Sequence, residues 1–519
     1  MLLSRSGHKI DFKVDHEIVA KIQGYKESLR DKFPRIGILV ISYNASAHIE
    51  STLSRIPKEV NDVIEEIFIF DDCSPDNTYD IAKELQAKSF WQDKLNVYKN
   101  PINLRYGGNQ KAGYTYAIDR GMDYVIMLHG DGQYAPEYIP DLILAALEGK
   151  RDAVFGSRLM NRGDAIKGGM PLYKFFGNQI LSRFENIILG TKLYEFHSGY
   201  RMYSTNLLKK IPFEENTDDF HFDTQIIIQC RALGVDIFEV PIKTFYGEEE
   251  CNVDGFKYAK DVVLSVLEYR LHQLHIIRRG RYFVNRDFVY VKKDSPYSSH
   301  EIILKAISCD KKKLLEFGGG SGLMYEEMTS RGFEVVCADD KKETYSKIPD
   351  ASFISTVNNS IDDLGVGRDF DHIVLSDNLA KTVDDFYFLR TVNKYLKPDG
   401  TIVVVVPNIS IWFYRLSLLI GRFNYDNRGI LDRKNLHFYT KSTIVQLIER
   451  TGYRVEKVHY AGLPFELVFE SLGKSFILRS IDTLYNLFVK LLPTVFAYQF
   501  IIEAKITHLN AETGEGKLL

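Results

Sequence analysis

Several short apolar runs in this chain end in polar residues able to do chemistry. Tyr124-Val-Ile-Met-Leu-His-Gly-Asp-Gly-Gln-Tyr134 is an apolar run that stops at a carboxylate with a glycine on each side. Phe68-Ile-Phe-Asp-Asp-Cys-Ser-Pro-Asp76 stops in the same way, and an earlier run ends in Ser42-Tyr43-Asn44. A carboxylate pair such as Asp71 and Asp72 accepts from the N–H of a base or from ribose hydroxyls. Asp131, with Gln133 beside it, is a natural place for Mg²⁺ or Mn²⁺ bridging the phosphates of a nucleotide. Such a cation neutralises a leaving diphosphate as a Lewis acid. Tyr43 can stack on a base face. Gly130 and Gly132 let a bulky anion approach the backbone. A second constellation is Leu314-Leu-Glu-Phe-Gly-Gly-Gly-Ser-Gly322, an apolar run entering a glycine turn. Asp339 ends the next apolar run, at the roughly 20-residue distance where an acid holds ribose hydroxyls in dinucleotide sites.

These ends need strands to deliver them. From Arg35 onward, IGILVIS, EEIFIF, KLNVYKN, YVIMLH and DAVFGSR read as strands, and IFEVPIKTFY closes this half. Helices are expected from about Ala47, over Thr78 to Lys88, over Gly107 to Arg120, within Lys167 to Gly190 and over Tyr258 to Arg270. Alternation of this kind predicts a mostly parallel, doubly wound sheet. Its strand ends then share the carboxyl edge, where open α/β sheets bind ligands. A second αβ series runs through KKLLEF, GFEVVCADD, FDHIVLSD, LKPDGTIVVVVPN and YRVEKVHYAG. An initial helix is expected over Val14 to Leu29. Leu463 to Ile506 reads as helical, packed on the domain before it.

Composition narrows the class. The 519 residues fit two or three domains. The net charge of −3, from 66 basic and 69 acidic residues, gives no general pull toward nucleic acid. Apolar residues make up 45%, which supports packed cores rather than disorder. The five cysteines are scattered and odd in number, as reduced thiols of a cytoplasmic protein would be. The charged N-terminus is not expected to be a signal peptide, and no apolar run is long enough to span a bilayer.

The ordered strand ends over Arg35 to Arg270 resemble family 2 glycosyltransferases of the GT-A fold, especially the branch like dolichol-phosphate mannosyltransferase. Ile41-Ser-Tyr-Asn-Ala45 matches that family's Pro-x-Tyr-Asn-Glu-like stretch. Phe70-Asp-Asp-Cys-Ser-Pro-Asp76 matches Val-Asp-Asp-Gly-Ser-x-Asp, and His129-Gly-Asp-Gly-Gln133 matches Asp-x-Asp-Gly-Gln. Gly156-Ser-Arg158, Ser198-Gly-Tyr-Arg201 and Phe222-Asp-Thr-Gln225 match later stretches. The resemblance implies a nucleotide-sugar site at Ser42, Tyr43, Asp71, Asp72, Asp131, Gln133, Arg158 and Arg201, with the metal on Asp131 and His129. It implies inverting transfer, in which a hydroxyl acceptor needs a base. Asp223 is the first candidate, followed by Asp219 and Glu195. A polyprenyl-phosphate acceptor needs no strong base, and Arg158, Arg201 and the Arg278–Arg281 cluster would hold its phosphate. The chain departs from the family at Ile41, Ala45, Cys73 and His129. Histidine suits Mn²⁺ better than Mg²⁺.

The glycine turn alone fits either a dinucleotide or S-adenosylmethionine. Phe370-Asp-His-Ile-Val-Leu-Ser-Asp377 and Tyr395-Leu-Lys-Pro-Asp-Gly-Thr-Ile-Val-Val-Val-Val406 resemble the class I methyltransferase fold over Lys313 to Gly462. That resemblance implies S-adenosylmethionine at Glu316, Gly318, Gly320, Gly322, Asp339 and Asp377. Leu379-Ala-Lys381 stands where Leu-Glu-His is common.

The expected organisation is a helical extension over 1–34, a GT-A domain over 35–275 and a basic linker over 276–300. A Rossmann-like methyltransferase domain over 301–462 and a helical tail over 463–519 complete it. Both domains belong to the α/β class. The expected function is bifunctional: inverting transfer from a nucleotide-diphospho-sugar to a polyprenyl-phosphate, lipid-linked or glycan acceptor, plus methyl transfer, in surface glycan or glycolipid synthesis. The alternative is a glycosyltransferase whose second domain only binds a partner or the acceptor. The expected location is the cytoplasm, with peripheral contact at the inner membrane face.

Overall fold

The computed structural model describes residues 2–3, 9–10, 12–246, 254–284, 292–307, 310, 312–319, 321–340, 348–356, 361–426, 429–469 and 475–507. The chain divides into two units, Met1–His272 with Ile277–Asp287, and Gln273–Ile276 with Phe288–Leu519.

In the first unit a two-residue strand, Leu2–Leu3 (β1), pairs antiparallel with Lys9–Ile10 (β2). The main sheet contains Ile36–Ser42 (β3), Ile64–Asp71 (β4), Leu95–Lys99 (β5), Tyr124–His129 (β6), Ala153–Ser157 (β7), Arg201–Ser204 (β8) and Phe238–Pro241 (β9). Their order is β5-β4-β3-β6-β8-β7-β9. Strands β3 to β6 are parallel neighbours, while β8 runs antiparallel to β6 and β7. All residues of β3 are buried, as a parallel strand covered on both faces requires. Ile36, Ile38 and Val40 enter one core, with the helices His16–Leu29 and Ile139–Gly149. Leu39 and Ile41 enter the other, with the helices Arg105–Asp119 and Phe222–Leu233. The sheet is mostly parallel, as expected. Strand β8 is an addition, because Arg-Met-Tyr-Ser is too short and too polar to read as a strand.

The second unit holds a separate sheet: Lys313–Phe317 (β10), Glu334–Asp339 (β11), Phe353–Ser355 (β12), Phe370–Ser376 (β13), Leu396–Pro407 (β14), Tyr453–Ala461 (β15) and Gln499–Ile506 (β16). Its order is β12-β11-β10-β13-β14-β16-β15. The tail is helical over Phe476–Leu491 and Pro493–Phe496, but its last segment is not. β16 is a strand inserted antiparallel between β14 and β15. Phe500, Ile501, Ile502 and Ala504 are fully buried there. A short apolar run suits either a helix or a strand by local pattern, and its strand partners come from distant sequence. Among the described residues no helix is long and apolar enough to cross a membrane.

Candidate active sites

The chain runs from β3 outward to β4 and β5, then returns to the other side of β3 as β6, so the carboxyl ends of β3 and β6 flank a switch point. Register aligns Ser42 with Asp71 and Ile41 with His129. Ser42 Oγ and Asp71 Oδ1 are buried and have no hydrogen-bond partner. The other oxygen of Asp71 accepts from the Ser74 N–H at 3.1 Å. Leaving a buried carboxylate oxygen without a donor is costly, so such an atom calls for an explanation, and a ligand donor is one. Asp72 has a different task. It accepts from Asn100 Nδ2 at 2.9 Å and from the Leu104 N–H at 2.8 Å, tying the end of β4 to the start of the helix Arg105–Asp119. Burial nevertheless raises its pKa. Tyr43 is exposed beside this edge. A Cβ on Gly130 would sit 2.7 Å from Ser42 Oγ, so a larger residue where the turn closes over β3 would push that hydroxyl aside. Cys73, which replaces the resembling family's glycine, has φ 55°, a left-handed conformation that glycine adopts more easily.

Asp131 Oδ1 accepts from the Gln133 N–H at 3.0 Å. His129 lies edge-on to Tyr106 and Tyr134, with ring centroids 5.6 and 4.9 Å away. Its Nε2 is 3.3 Å from Tyr106 Oη. Burial lowers its pKa, which favours the neutral imidazole. Among the described residues no group of three or more His, Cys, Asp or Glu side chains is placed to hold a metal. The fit to Mg²⁺ or Mn²⁺ therefore rests on a neutral imidazole and one carboxylate, a mixed set more suited to Mn²⁺.

The remaining sequence candidates turn inward. Asp223 is buried; Tyr106 Oη donates to one of its oxygens at 2.9 Å and Gln110 Nε2 to the other at 3.2 Å. Arg201 Nη1 stands 3.5 Å from the same carboxylate and donates to the Asp223 carbonyl, while Nε and Nη2 donate to the carbonyls of Ser198 and Phe196. Arg158 forms a buried ion pair with Glu195 and also donates to Tyr246 Oη at 2.8 Å and His197 O at 2.9 Å. Asp219 is the more accessible acid. It lies 3.7 Å from Arg105 and 3.5 Å from Lys257, both well exposed. In the Arg278–Arg281 cluster, Arg279 pairs with Glu268. Tyr106, Gln110, Arg105 and Lys257 were not singled out by sequence. The run Arg105-Tyr-Gly-Gly-Asn-Gln110 after β5 was the available signal, since it places polar groups at a helix start.

In the second sheet, β10, β11 and β13 present Gly318, Asp339 and Asp377 at one edge. Glu316 is buried, accepting from Ser376 Oγ at 3.1 Å and Cys337 Sγ at 3.7 Å. Burial pushes its pKa up to about 7. Gly318 has φ 83°, and a Cβ there would lie 2.4 Å from the Ser376 carbonyl oxygen. Gly322 donates its N–H to the Gly319 carbonyl at 2.8 Å. Gly320 lies outside the described residues. Asp339 Oδ1 accepts from the Asp340 N–H at 2.7 Å. Asp377 has φ 52° and accepts from Gln499 Nε2 of β16. The neighbouring Asn378 Oδ1 is buried without a partner, an orphan at the mouth of the glycine turn that fits a bound cofactor. Asn378 and Gln499 were both missed by sequence.

Residues 37–212 match the model of glycosyl transferase family 2, and residues 298–458 match a methyltransferase domain. The chain is 29% identical over 222 residues to UDP-N-acetylglucosamine–dolichyl-phosphate N-acetylglucosaminyltransferase of Methanococcus voltae, covering 41% of this chain and 86% of that one. It is 28% identical over 216 residues to undecaprenyl-phosphate mannosyltransferase of Micrococcus luteus, covering 41% and 85%. Among solved structures, mannosyl-3-phosphoglycerate synthase from Rubrobacter xylanophilus aligns with a TM-score of 0.38 and 15% identity, over 51% of this chain and 86% of that one.

Proposed function

We propose, from the premise that this chain joins a family 2 glycosyltransferase domain to a methyltransferase domain, that the first passes a sugar from a nucleoside diphosphate to a polyprenyl phosphate with inversion. The second then methylates a product of the same glycan or glycolipid assembly. The observation that carries the first reading is the pair of orphaned atoms, Ser42 Oγ and Asp71 Oδ1, at the carboxyl edge. Asp71 Oδ1 accepts from the nucleoside, Ser42 Oγ hydrogen-bonds beside it, and Tyr43 stacks on the base. Asp131 and His129 would hold a divalent cation, which when bound supplies positive charge to the leaving diphosphate.

A phosphate acceptor suits what remains of the site. Asp223 and Glu195 are committed to buried partners, and Asp219 sits between two cations, so none is poised as a strong base. An acceptor phosphate oxygen is already anionic. It attacks the anomeric carbon as the bond to the diphosphate breaks. Arg105 and Lys257 hold the acceptor phosphate by charge-assisted bonds. Arg158, Arg201 and Asp223 position the loops and Tyr106 rather than touch substrate. The relatives named for dolichyl-phosphate and undecaprenyl-phosphate transfer support this acceptor class.

In the second domain S-adenosylmethionine would lie along the Gly318–Gly322 turn, with Asp339 on the ribose hydroxyls and Asn378 Oδ1 accepting from the cofactor. When bound it supplies the methyl group. The protein aligns the acceptor, a contribution that proximity alone makes large. Free thiols at Cys73, Cys230 and Cys337 suit a reducing, cytoplasmic location.

Calorimetric titration tests the reading. The full chain is titrated with UDP-, GDP- and dTDP-sugars with Mn²⁺, then with S-adenosylmethionine. One nucleotide class should bind, and Asp71→Asn should weaken it about 10- to 100-fold. Binding of no nucleotide sinks the first assignment. Absence of S-adenosylmethionine binding makes the second domain a non-catalytic module.

A further inference from the structure

The second unit carries an apolar helix face that its own core leaves uncovered. The helix Phe476–Leu491 is capped by Ser475, whose side chain accepts from the Leu478 N–H. Leu478, Asn486 and Val489 are buried, and Tyr485 Oη donates to the Phe496 carbonyl. On the other side, Ile477, Ile481, Leu484, Phe488 and Leu491 are 61, 43, 59, 44 and 67% exposed. Their spacing of four and three residues forms one continuous stripe. The helix has 16 residues, about 24 Å at roughly 1.5 Å per residue, so the stripe is long enough to lie along a surface.

Beside it, the helix Trp412–Leu419 and the residue after it expose Leu416, Leu418, Leu419 and Ile420. The second segment is tied to the short helix Pro493–Phe496 that follows the first, and the two segments share one apolar cluster. Ser410 Oγ and Arg415 Nη2 both donate to the Thr494 carbonyl, at 3.0 and 3.3 Å, and Trp412 and Tyr485 pack on the same apolar cluster.

Charge decides what covers this face. The exposed charged residues of the long helix are Arg479 and Lys490. Its one acid, Asp482, is half-buried and accepts from Ser295 and Asn486. The neighbouring segment, residues 408–425, adds exposed Arg415 and Arg422 and contains no acid. An apolar stripe bordered by cations and no outward acid matches the boundary of an anionic bilayer, where acyl chains receive the apolar face and headgroups meet the cations.

We propose that the helix Phe476–Leu491, with the segment Trp412–Ile420 beside it, is an interfacial anchor that lays the second unit on an anionic lipid surface. This rests on neither transfer reaction. It would hold the second unit at a lipid surface without a membrane-spanning segment among the described residues.

The full chain is sedimented with vesicles of phosphatidylcholine alone and with added phosphatidylglycerol. It should partition onto the anionic vesicles, less so as salt rises. Leu484→Glu with Leu491→Glu, both at exposed positions, should lower that partition at least about tenfold while leaving the melting temperature unchanged. Arg479→Ala and Lys490→Ala should each weaken binding to anionic vesicles about fivefold and leave the neutral-vesicle result unchanged. The proposal fails if the full chain stays in solution with anionic vesicles at low salt. It fails equally if neither pair of substitutions alters binding. A lipid-free, concentration-dependent dimer abolished by the glutamates would assign the face to a second copy and overturn it.

Discussion

The Gln499 side-chain amide donates to both oxygens of Asp377, at 2.8 and 3.0 Å, so the strand β16 holds the acid at the carboxyl edge of the second sheet. Burial raises the pKa of Asp377 in spite of this. Gln499→Leu removes both bonds and leaves the carboxylate under-satisfied. We expect a loss of about 1–3 kcal/mol in urea unfolding. S-adenosylmethionine affinity should fall as well; an unchanged unfolding midpoint would show that solvent replaces the amide.

Glu316 links stability to pH. Its folded pKa is about 7, above its ordinary value of 4.5. Between those values the folded state binds the extra proton, so stability should decline as pH rises from about 4.5 to 7 and level off above that. The change is at most on the order of 3 kcal/mol. Glu316→Gln should flatten this slope in denaturation curves taken across pH 5 to 8. A slope that survives the substitution would place its origin elsewhere.

Arg158 and Arg105 should behave oppositely. Arg158→Ala leaves Glu195 buried and uncompensated, with an expected cost of about 3–5 kcal/mol. Arg105 is largely exposed, and Arg105→Ala should change stability by no more than about 0.5 kcal/mol. On the proposed function its effect appears as a raised KM for the phosphate acceptor. Steady-state kinetics with a short polyprenyl phosphate, alongside thermal unfolding, separates the two roles.

His129→Asp would place a third carboxylate near Asp131 and Asp223, both of which already act electrostatically on this position. Without a cation, like-charge repulsion in a buried site should lower the melting temperature. Added Mn²⁺ should restore it and should do so more strongly than in the parent protein. Equal Mn²⁺ shifts in both proteins would argue that this turn does not hold the metal.

Much of both sites was readable because their key groups follow directly on buried apolar runs. Ser42, Asp71 and Asp131 end such runs, as do Glu316 with its glycine turn and Asp339; a run buried on both faces can deliver its polar end only at the sheet edge. The positive φ of Gly132, Gly318 and Gly322 agrees with turns legible from glycine alone.

Sequence by itself determined the two αβ series, the order of the strand ends and the chemistry available at each edge, because these depend on local runs and their terminators. Tertiary structure decided which polar groups keep an atom without a protein hydrogen-bond partner. Arg158, Arg201, Glu195 and Asp223 look as available in sequence as Asp71 does, yet partners from remote segments occupy them, whereas one oxygen of Asp71 stays unpartnered. Tertiary structure also made Gln499–Ile506 a strand and brought Gln499 to Asp377, since strand pairing is set by distant neighbours rather than by the residues of the strand itself.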